Sequence, residues 1–145
     1  MTAVRRKTVD SAHSLRLSVM RLHRRLRKER PDTGLSLTRL SVLGRLDRDG
    51  PATASAIAEA ERIQPQSMTR VVAELERRGL IDRRPDTTDR RRVLLRISPA
   101  GERLIAEDRR RRDEWLSVAM ADTLTPAEQD ILRVAATLLD RLAES

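Results

Sequence analysis

The fold of this chain is decided by residues 64–97, which read QPQSMTRVVAELERRGLIDRRPDTTDRRRVLLRI. Pro65 is well placed to start a helix, because its missing N–H would have no intrahelical partner at the first position. The predicted helix runs to Arg78, and Gly79 is suited to end it. The opening half of this stretch is therefore a capped helix of about four turns.

The second half of the stretch predicts a two-stranded hairpin. Between residues 80–84 and 93–97 lie Pro85-Asp86-Thr87-Thr88-Asp89, a run of turn-forming residues, and three arginines. Within 93–97, the sequence puts Val93, Leu95 and Ile97 on one face and Leu94 and Arg96 on the other, as in a half-buried strand.

A shorter helix is predicted immediately before the first one. Thr53 is a suitable N-cap for a helix from Ala54 to Ala60, and only the turn at residues 61–63 separates it from Pro65. Two helices joined by so short a turn indicate a helix-turn-helix.

Amphipathic helices are predicted on both sides of this central part. On the N-terminal side they span residues 9–29, with Leu15, Val19, Leu22 and Leu26 in one stripe, and about 36–48. On the C-terminal side Ser98-Pro99 opens a helix that runs towards Met120, and Thr125-Pro126-Ala127-Glu128 is a capping box. The last helix carries an apolar stripe formed by Ile131, Val134, Leu138 and Leu142.

Composition narrows the class of protein. The 145 residues are 39% hydrophobic, which is lean for a monomer and favours a partner chain. The absence of cysteine excludes disulfides and thiolate chemistry, and two histidines are too few for a metal cluster, so we expect no metal and no cofactor. No Ser/His/Asp set or phosphate-binding glycine loop indicates an enzyme. Without an apolar run of about 20 residues, we expect a cytoplasmic protein with no membrane partner.

Charge is unevenly distributed along the chain. The net charge is +8 overall, with +8 in residues 1–30, +3 in 31–97 and −3 in 98–145. This basic balance fits nucleic acid as the partner, although membrane-surface proteins and ribosome binders share it.

The helix that starts at Pro65 has two faces. Met68, Val71, Val72 and Leu75 lie on one, and polar residues with Ala73 lie on the other. A solvated surface helix would look similar, but these polar side chains can also hydrogen-bond base edges or phosphates. The candidate DNA contacts are Gln64, Gln66, Ser67, Thr69, Arg70 and Arg77.

Arg90, Arg91 and Arg92 follow Asp89 where the hairpin tip would project. Three consecutive arginines can be a solvated charge run, but a hairpin tip is narrow enough for a minor groove, whose potential attracts guanidinium groups. Asp89 could pair with one arginine and fix the loop. A longer run, Arg109 to Arg112, is interpreted as a solvated helix face with i,i+4 pairs such as Asp108 with Arg112.

The order of elements and these motifs resemble the MarR (multiple antibiotic resistance regulator) family. The most specific match runs from Leu75 to Gly101: LERRGLIDRR, then Asp89-x-Arg91-x-Val93, then LxISPxG. The resemblance implies that Arg91 enters the minor groove and Asp89 braces it, with Arg90 and Arg92 as phosphate contacts or solvated neighbours.

The resemblance also implies the architecture: a mainly α chain with a small two-to-three-stranded β-wing, in which terminal helices form a dimerisation bundle around a winged helix-turn-helix. The expected regions are an N-terminal dimerisation helix (1–34), the DNA-binding region (35–98) and C-terminal dimerisation helices (99–145). An intramolecular helical bundle is the alternative to a homodimer.

Many members of this family release DNA when a small amphipathic or phenolic ligand binds. His13, Arg16, His23 and Trp115 could line such a pocket here, although a packed tryptophan and solvated histidines are the simpler interpretation. We expect a sequence-specific dimeric regulator, most simply a repressor, on a pseudo-palindromic operator in double-stranded DNA. The alternative is a sequence-tolerant architectural DNA-binding protein.

Overall fold

The structure is a computed structural model that describes the backbone of residues 3–145 and the side chains from Lys7 onward. Within these residues six helices and two strands follow in order: α1 (Ala3–Lys28), α2 (Leu37–Asp49), α3 (Ala54–Ala60), α4 (Pro65–Arg77), β1 (Ile81–Pro85), β2 (Val93–Ile97), α5 (Pro99–Thr123) and α6 (Pro126–Ala143). The predicted fold class, mainly helical with a small wing, is confirmed.

Local sequence signals explain most of these boundaries. Ser36, Thr53 and Thr125 each accept a hydrogen bond from a backbone N–H in the first turn of α2, α3 and α6. The capping box at Thr125 and Glu128 is present as predicted.

Two boundaries differ from the sequence expectation. The first helix starts at Ala3 rather than near residue 9. Helix α4 ends at Arg77, so Arg78 is its C-cap and Gly79 follows with a φ of 68°. Glycine suits that position because a left-handed φ carries no Cβ penalty there.

The chain forms two compact units. One contains the described residues up to Arg30 together with Arg110–Ser145, and the other is Pro31–Arg109. We call them the helical unit and the winged unit.

The winged unit has its own apolar core, which α2, α3, α4, both strands and the first turns of α5 supply. Its largest fully buried side chains are Leu43, Ile57, Leu75 and Leu95. Burial of this apolar surface is the main force that holds α4 and the hairpin in place. Val93, predicted to share the buried face of β2, is 46% exposed because it stands at the open end of the hairpin, opposite Pro85.

Gly101 allows α5 to start close against the turn between α4 and β1. A Cβ at this position would lie 2.3 Å from the carbonyl oxygen of Leu80 and 2.7 Å from Cγ1 of Ile97. The Ser98 hydroxyl donates to the Gly79 carbonyl at 2.6 Å and accepts from the Gly101 N–H at 3.2 Å. The Ser-Pro-x-Gly motif therefore joins α5 to the turn that follows α4.

The helical unit leaves much of its apolar surface uncovered. Helix α6 has no buried residue, and Ile131 and Leu142 on its stripe are 66% and 61% exposed. On α1 the predicted stripe is also open, with Leu15 and Val19 42% and 46% exposed. Such surfaces are unfavourable in water unless another chain covers them.

Candidate nucleic-acid interface

Helices α3 and α4 form a helix-turn-helix with a tightly hydrogen-bonded turn. The Ile63 N–H donates to the Ala58 carbonyl at 2.8 Å, and Arg62 adopts a left-handed φ of 54° that closes the turn. Pro65 then starts α4 at N1. The N-cap is Gln64, whose side chain makes no capping hydrogen bond, so its amide is not committed to the helix.

The two faces of α4 are separated as the sequence predicts. Met68, Val71, Val72 and Leu75 are buried in the core. The candidate DNA contacts Gln64, Gln66, Ser67, Thr69, Arg70 and Arg77 are all exposed, together with Ala73. The structure therefore brings these polar side chains to one accessible surface, which we call the reading face.

Two members of the reading face have partners within the chain. The Thr69 hydroxyl donates to the Pro65 carbonyl at 3.1 Å and can still accept a hydrogen bond. Arg77 makes a bidentate contact with Glu74, with Nη2 at 2.8 and 2.9 Å from its two carboxylate oxygens. Contact of Arg77 with phosphate would compete with Glu74.

Strands β1 and β2 form an antiparallel hairpin, paired from Ile81 with Ile97 out to Pro85 with Val93. A third segment contributes one bridge, since Ala52 exchanges backbone hydrogen bonds with Leu95 at 3.2 and 2.8 Å. This bridge fastens the wing to the segment that precedes α3.

Two aspartates order the wing tip. Oδ1 of Asp89 accepts from the backbone N–H of Arg91 at 3.1 Å and from its Nε at 3.3 Å. Asp86 accepts from the backbone N–H and the hydroxyl of Thr88 at 3.0 and 2.9 Å, and these bonds lower the pKa of the Asp86 carboxyl. The Arg91 side chain projects from this loop 93% exposed.

Arg90 and Arg92 lie beside Arg91 and are also exposed. The loop is closed at its base, where the Asp86 N–H donates to the Arg92 carbonyl at 3.0 Å. The wing tip thus presents three arginines on an ordered turn.

An ion pair joins the reading helix to the wing. Nε of Arg83 on β1 lies 2.5 Å from Oε1 of Glu76 on α4, and the carboxylate raises the pKa of the guanidinium. The sequence did not predict that either residue contributes to the site. The two are seven residues apart with a turn between them, so no local pattern indicates that they meet.

A second polar cluster secures the turn of the helix-turn-helix to α2. The Glu61 carboxylate accepts from the Ser41 hydroxyl and from Nε of Arg45, the latter at 2.6 Å. The Ser41 hydrogen bond, together with Arg45, lowers the pKa of Glu61. No local motif signals this cluster, since its members are 16 and 20 residues apart.

The longer arginine run on α5 has acidic partners. Arg109 lies 2.5 Å from Asp47 of α2, and Arg110 pairs with Glu114 one turn along the helix. Arg109, Arg110 and Arg111 are exposed as expected, but Asp108, the partner expected for Arg112, is only 2% exposed because it falls on the inner side of α5.

The four candidate ligand-pocket residues are not gathered into one cavity. Trp115 is half-buried, with the Arg25 guanidinium 4.2 Å from its ring centroid, and borders an open groove of about 480 Å³ in the helical unit. His13, Arg16 and His23 are exposed on α1 and are not among the side chains that line this groove.

A second cavity lies within the winged unit. It has a volume of about 590 Å³ between α3 and α4, with Ala58, Met68 and Val72 on its apolar walls and Thr69 and Arg83 at its polar edge. Among the described residues no group of histidine, aspartate and glutamate has a metal-binding arrangement. No helix in the same part of the chain is long and apolar enough to cross a membrane.

The chain is similar in sequence to known proteins. The sequence profile of the MarR family matches residues 35–93. Over 133 residues the chain is 45% identical to an HTH-type transcriptional regulator of Mycobacterium bovis, described as uncharacterized, and the match covers 92% of each protein.

The fold is also similar to solved structures. A Pseudomonas aeruginosa protein, provisionally described as a transcriptional regulator, superimposes with a TM-score of 0.84 at 35% identity over 97% of each chain. Bordetella bronchiseptica BpsR, whose DNA binding is regulated by 6-hydroxynicotinic acid, gives a TM-score of 0.62 at 25% identity over 92% of this chain and 93% of its own.

Proposed function

Because this chain belongs to the MarR family of winged helix-turn-helix transcription regulators, we propose that it is a homodimeric repressor that reads a pseudo-palindromic operator with α4 and the wing. In this proposal Gln66, Thr69 and Arg70 contact base edges in the major groove. Arg91 enters the adjacent minor groove, where the negative potential of a narrow groove attracts guanidinium groups.

The proposal is supported most directly by the exposure and orientation of Arg91. Its side chain is 93% exposed, and Asp89 holds its backbone and Nε on an ordered loop. A cation that is both presented to solvent and oriented by a neighbour loses less conformational entropy on binding than a free one.

The decisive test is footprinting followed by an affinity measurement. We expect a discrete protected palindrome with half-site centres about 10 bp apart, or a multiple of that, and a steep loss of affinity with salt. Arg91→Ala should weaken operator binding by about 1–3 kcal/mol. Arg133→Ala on α6 removes the same charge outside the winged unit and serves as the control.

Two outcomes would count against the proposal. Unchanged operator affinity in Arg91→Ala removes the wing-tip assignment. Uniform protection with no palindrome would instead favour the sequence-tolerant architectural binder, in which the same arginines neutralise phosphate without reading bases.

Dimerisation is proposed from the open apolar stripes of the helical unit. The stripe on α6 includes Ile131, Val134 and Leu138, which are 66%, 60% and 49% exposed. A second copy of the chain would cover them and would also place two reading faces on one operator, which a two-fold palindrome requires.

We propose further that a small amphipathic or phenolic ligand releases the DNA, as 6-hydroxynicotinic acid regulates DNA binding in BpsR. The groove beside Trp115 is lined by the indole, Val118 and two arginines, Arg110 and Arg111, together with Glu29 and Glu114. The apolar and cationic groups could hold the ring and the carboxylate of an aromatic acid. His13, Arg16 and His23 remain candidates only if ligand binding recruits them.

The ligand proposal is tested by adding a panel of aromatic acids, 6-hydroxynicotinic acid among them, to the protein–operator complex. Release of DNA that Trp115→Leu abolishes would support the groove. Release with protection from hydrogen exchange at residues 54–72 would place the ligand beside α4 instead, and no release by any compound would contradict ligand control by this class.

A further inference from the structure

We infer that Arg78 is a positioning residue for DNA binding: its guanidinium ties the segment between α1 and α2 to the C-terminal end of α4 and so fixes the reading helix without touching DNA. The inference rests on the proposed DNA-binding function. It concerns an arginine next to the reading face that charge alone would assign to phosphate.

All three guanidinium nitrogens of Arg78 are engaged within the winged unit. Nη1 donates to the carbonyl oxygen of Thr33 at 2.9 Å, and Nη2 donates to that of Gly34 at 3.1 Å. Nε donates to Oε1 of Glu74 at 2.8 Å. A planar guanidinium can satisfy these three acceptors at once, whereas a lysine ammonium at the end of its chain cannot reproduce the geometry.

The connecting segment is shaped around this guanidinium. Gly34 has a left-handed φ of 65°, and a Cβ there would lie 3.1 Å from Nη2 of Arg78. The side chains of Asp32 and Thr33 accept from the N–H groups of Gly34 and Leu35 at 3.0 and 3.2 Å, which orders the turn that presents the two carbonyls. Both the backbone conformation and the space at Gly34 therefore suit these hydrogen bonds from Arg78 to Thr33 and Gly34, which we call the clamp.

The neighbouring arginine shows why position decides the role. Arg77 also binds Glu74, but these hydrogen bonds stay within α4 and its side chain is 69% exposed, against 32% for Arg78. Arg77 faces outward with the reading face, while Arg78 reaches back across 45 residues of sequence to Thr33.

Such a clamp matters for recognition because base contacts depend on the exact placement of α4. Side chains that read DNA must be held within about 0.5 Å of their productive positions by residues that support them. Burial of Leu75 fixes the depth of the helix, and Arg78 fixes its C-terminal end against the segment that leads into α2.

The test uses Arg78→Lys and Arg78→Gln in the full chain, with Arg133→Lys as the control. Hydrogen exchange in the free protein should become faster at residues 32–36 and 74–79 in both Arg78 variants. Both should lose roughly tenfold in operator affinity, a loss typical of hydrogen bonds to a charged group. Non-operator affinity and the dependence of binding on salt should stay as in the wild type.

Gly34→Ala probes the clamp from its other side without changing charge. Its effect on operator affinity should not add to that of Arg78→Gln in the double variant, because the two changes disrupt one contact. Urea unfolding of each variant separates this effect from loss of fold.

Three results would overturn the inference. Full affinity in Arg78→Lys, with Arg78→Gln lowering the salt slope by about one, would make Arg78 a phosphate contact. Faster exchange with unchanged operator affinity would reduce it to a structural contact. Unchanged hydrogen exchange would show that Arg78 does not order the segment between α1 and α2. This measurement needs no DNA, so it can be interpreted even if the wild-type protein binds no operator.

Discussion

At the scale of single residues, Gly101 carries the sharpest stability prediction. Gly101→Ala should destabilise the winged unit by about 3 kcal/mol, because the new methyl would collide with the Leu80 carbonyl and Ile97. Gly44, within α2, has no heavy atom within 4 Å of an added Cβ. Gly44→Ala should therefore stabilise by about 0.5–1 kcal/mol.

Urea unfolding of the two variants measures both effects. The opposite signs make the pair its own control, since both replace glycine by alanine within a helix. A Gly101→Ala variant as stable as the wild type would show that α5 can shift away from the turn at no cost.

The brace at the wing tip gives a second prediction at this scale. Asp89→Asn should weaken operator binding by about 0.5–1 kcal/mol, the usual value of an exposed ion pair, since Arg91 is then less well oriented. In an Arg91→Ala background the same change should have little effect. Additive losses in this double-mutant cycle would mean that Asp89 acts through something other than Arg91.

The sequence alone places some of these residues and not others. Asp89 and Arg91 are two positions apart, so their contact follows from local chain geometry, as does that of Asp86 with Thr88. Arg77 and Arg78 look alike in sequence, and only long-range packing distinguishes them. The left-handed φ of Arg62 is equally hidden, because arginine has no preference for that conformation.

At the scale of elements, prediction succeeds where a boundary is set by local hydrogen bonds. Thr53 and Thr125 cap their helices as expected, and Pro65 starts α4. The start of α1 is missed because the prediction rested on the apolar stripe from Leu15 to Leu26, which begins well inside the helix. The exposure of Val93 is missed because alternation within a strand says nothing about where the core ends.

The turn of the helix-turn-helix carries a pH prediction through Glu61. Its pKa is lowered in the folded state, so the carboxylate stabilises the fold fully above its ordinary pKa of 4.5 and loses this effect as pH falls through the lower folded value. Glu61→Gln should cost about 1 kcal/mol at neutral pH. The difference from the wild type should shrink below about pH 4.

Chemical unfolding at a series of pH values checks this. Glu59→Gln, at an exposed position two residues earlier, is the matched control and should show no such pH-dependent difference. A Glu61→Gln deficit that persists unchanged at acid pH would mean that side-chain shape rather than charge secures the turn.

At the scale of the whole molecule, the apolar stripes predict an assembly. Leu138→Asp on α6 should convert the proposed dimer to a monomer, since it places a charge where a partner chain would pack. Ala136→Asp, about 160° around the same helix, adds the same charge outside the stripe and should leave the dimer intact. Sedimentation velocity of both variants distinguishes them, and a dimeric Leu138→Asp protein would contradict the α6 interface.

Sequence patterns locate these stripes but cannot say what covers them. The stripe on α6 has the same period as a helix buried within one chain, and only its exposure in the folded chain shows that nothing in the described residues covers it. In the winged unit, by contrast, the buried apolar residues pack against one another within one contiguous segment of the chain.

Trp115 has an optical consequence. It is the only Phe, Tyr or Trp residue among the 145, and the Arg25 guanidinium lies over its ring in the helical unit. The intrinsic near-ultraviolet emission of the protein therefore comes from one indole on α5, next to Arg25 of α1. The winged unit contains no fluorescent side chain. Intrinsic fluorescence therefore reports the surroundings of one groove. DNA can be titrated against the protein without any emission from residues of the reading face.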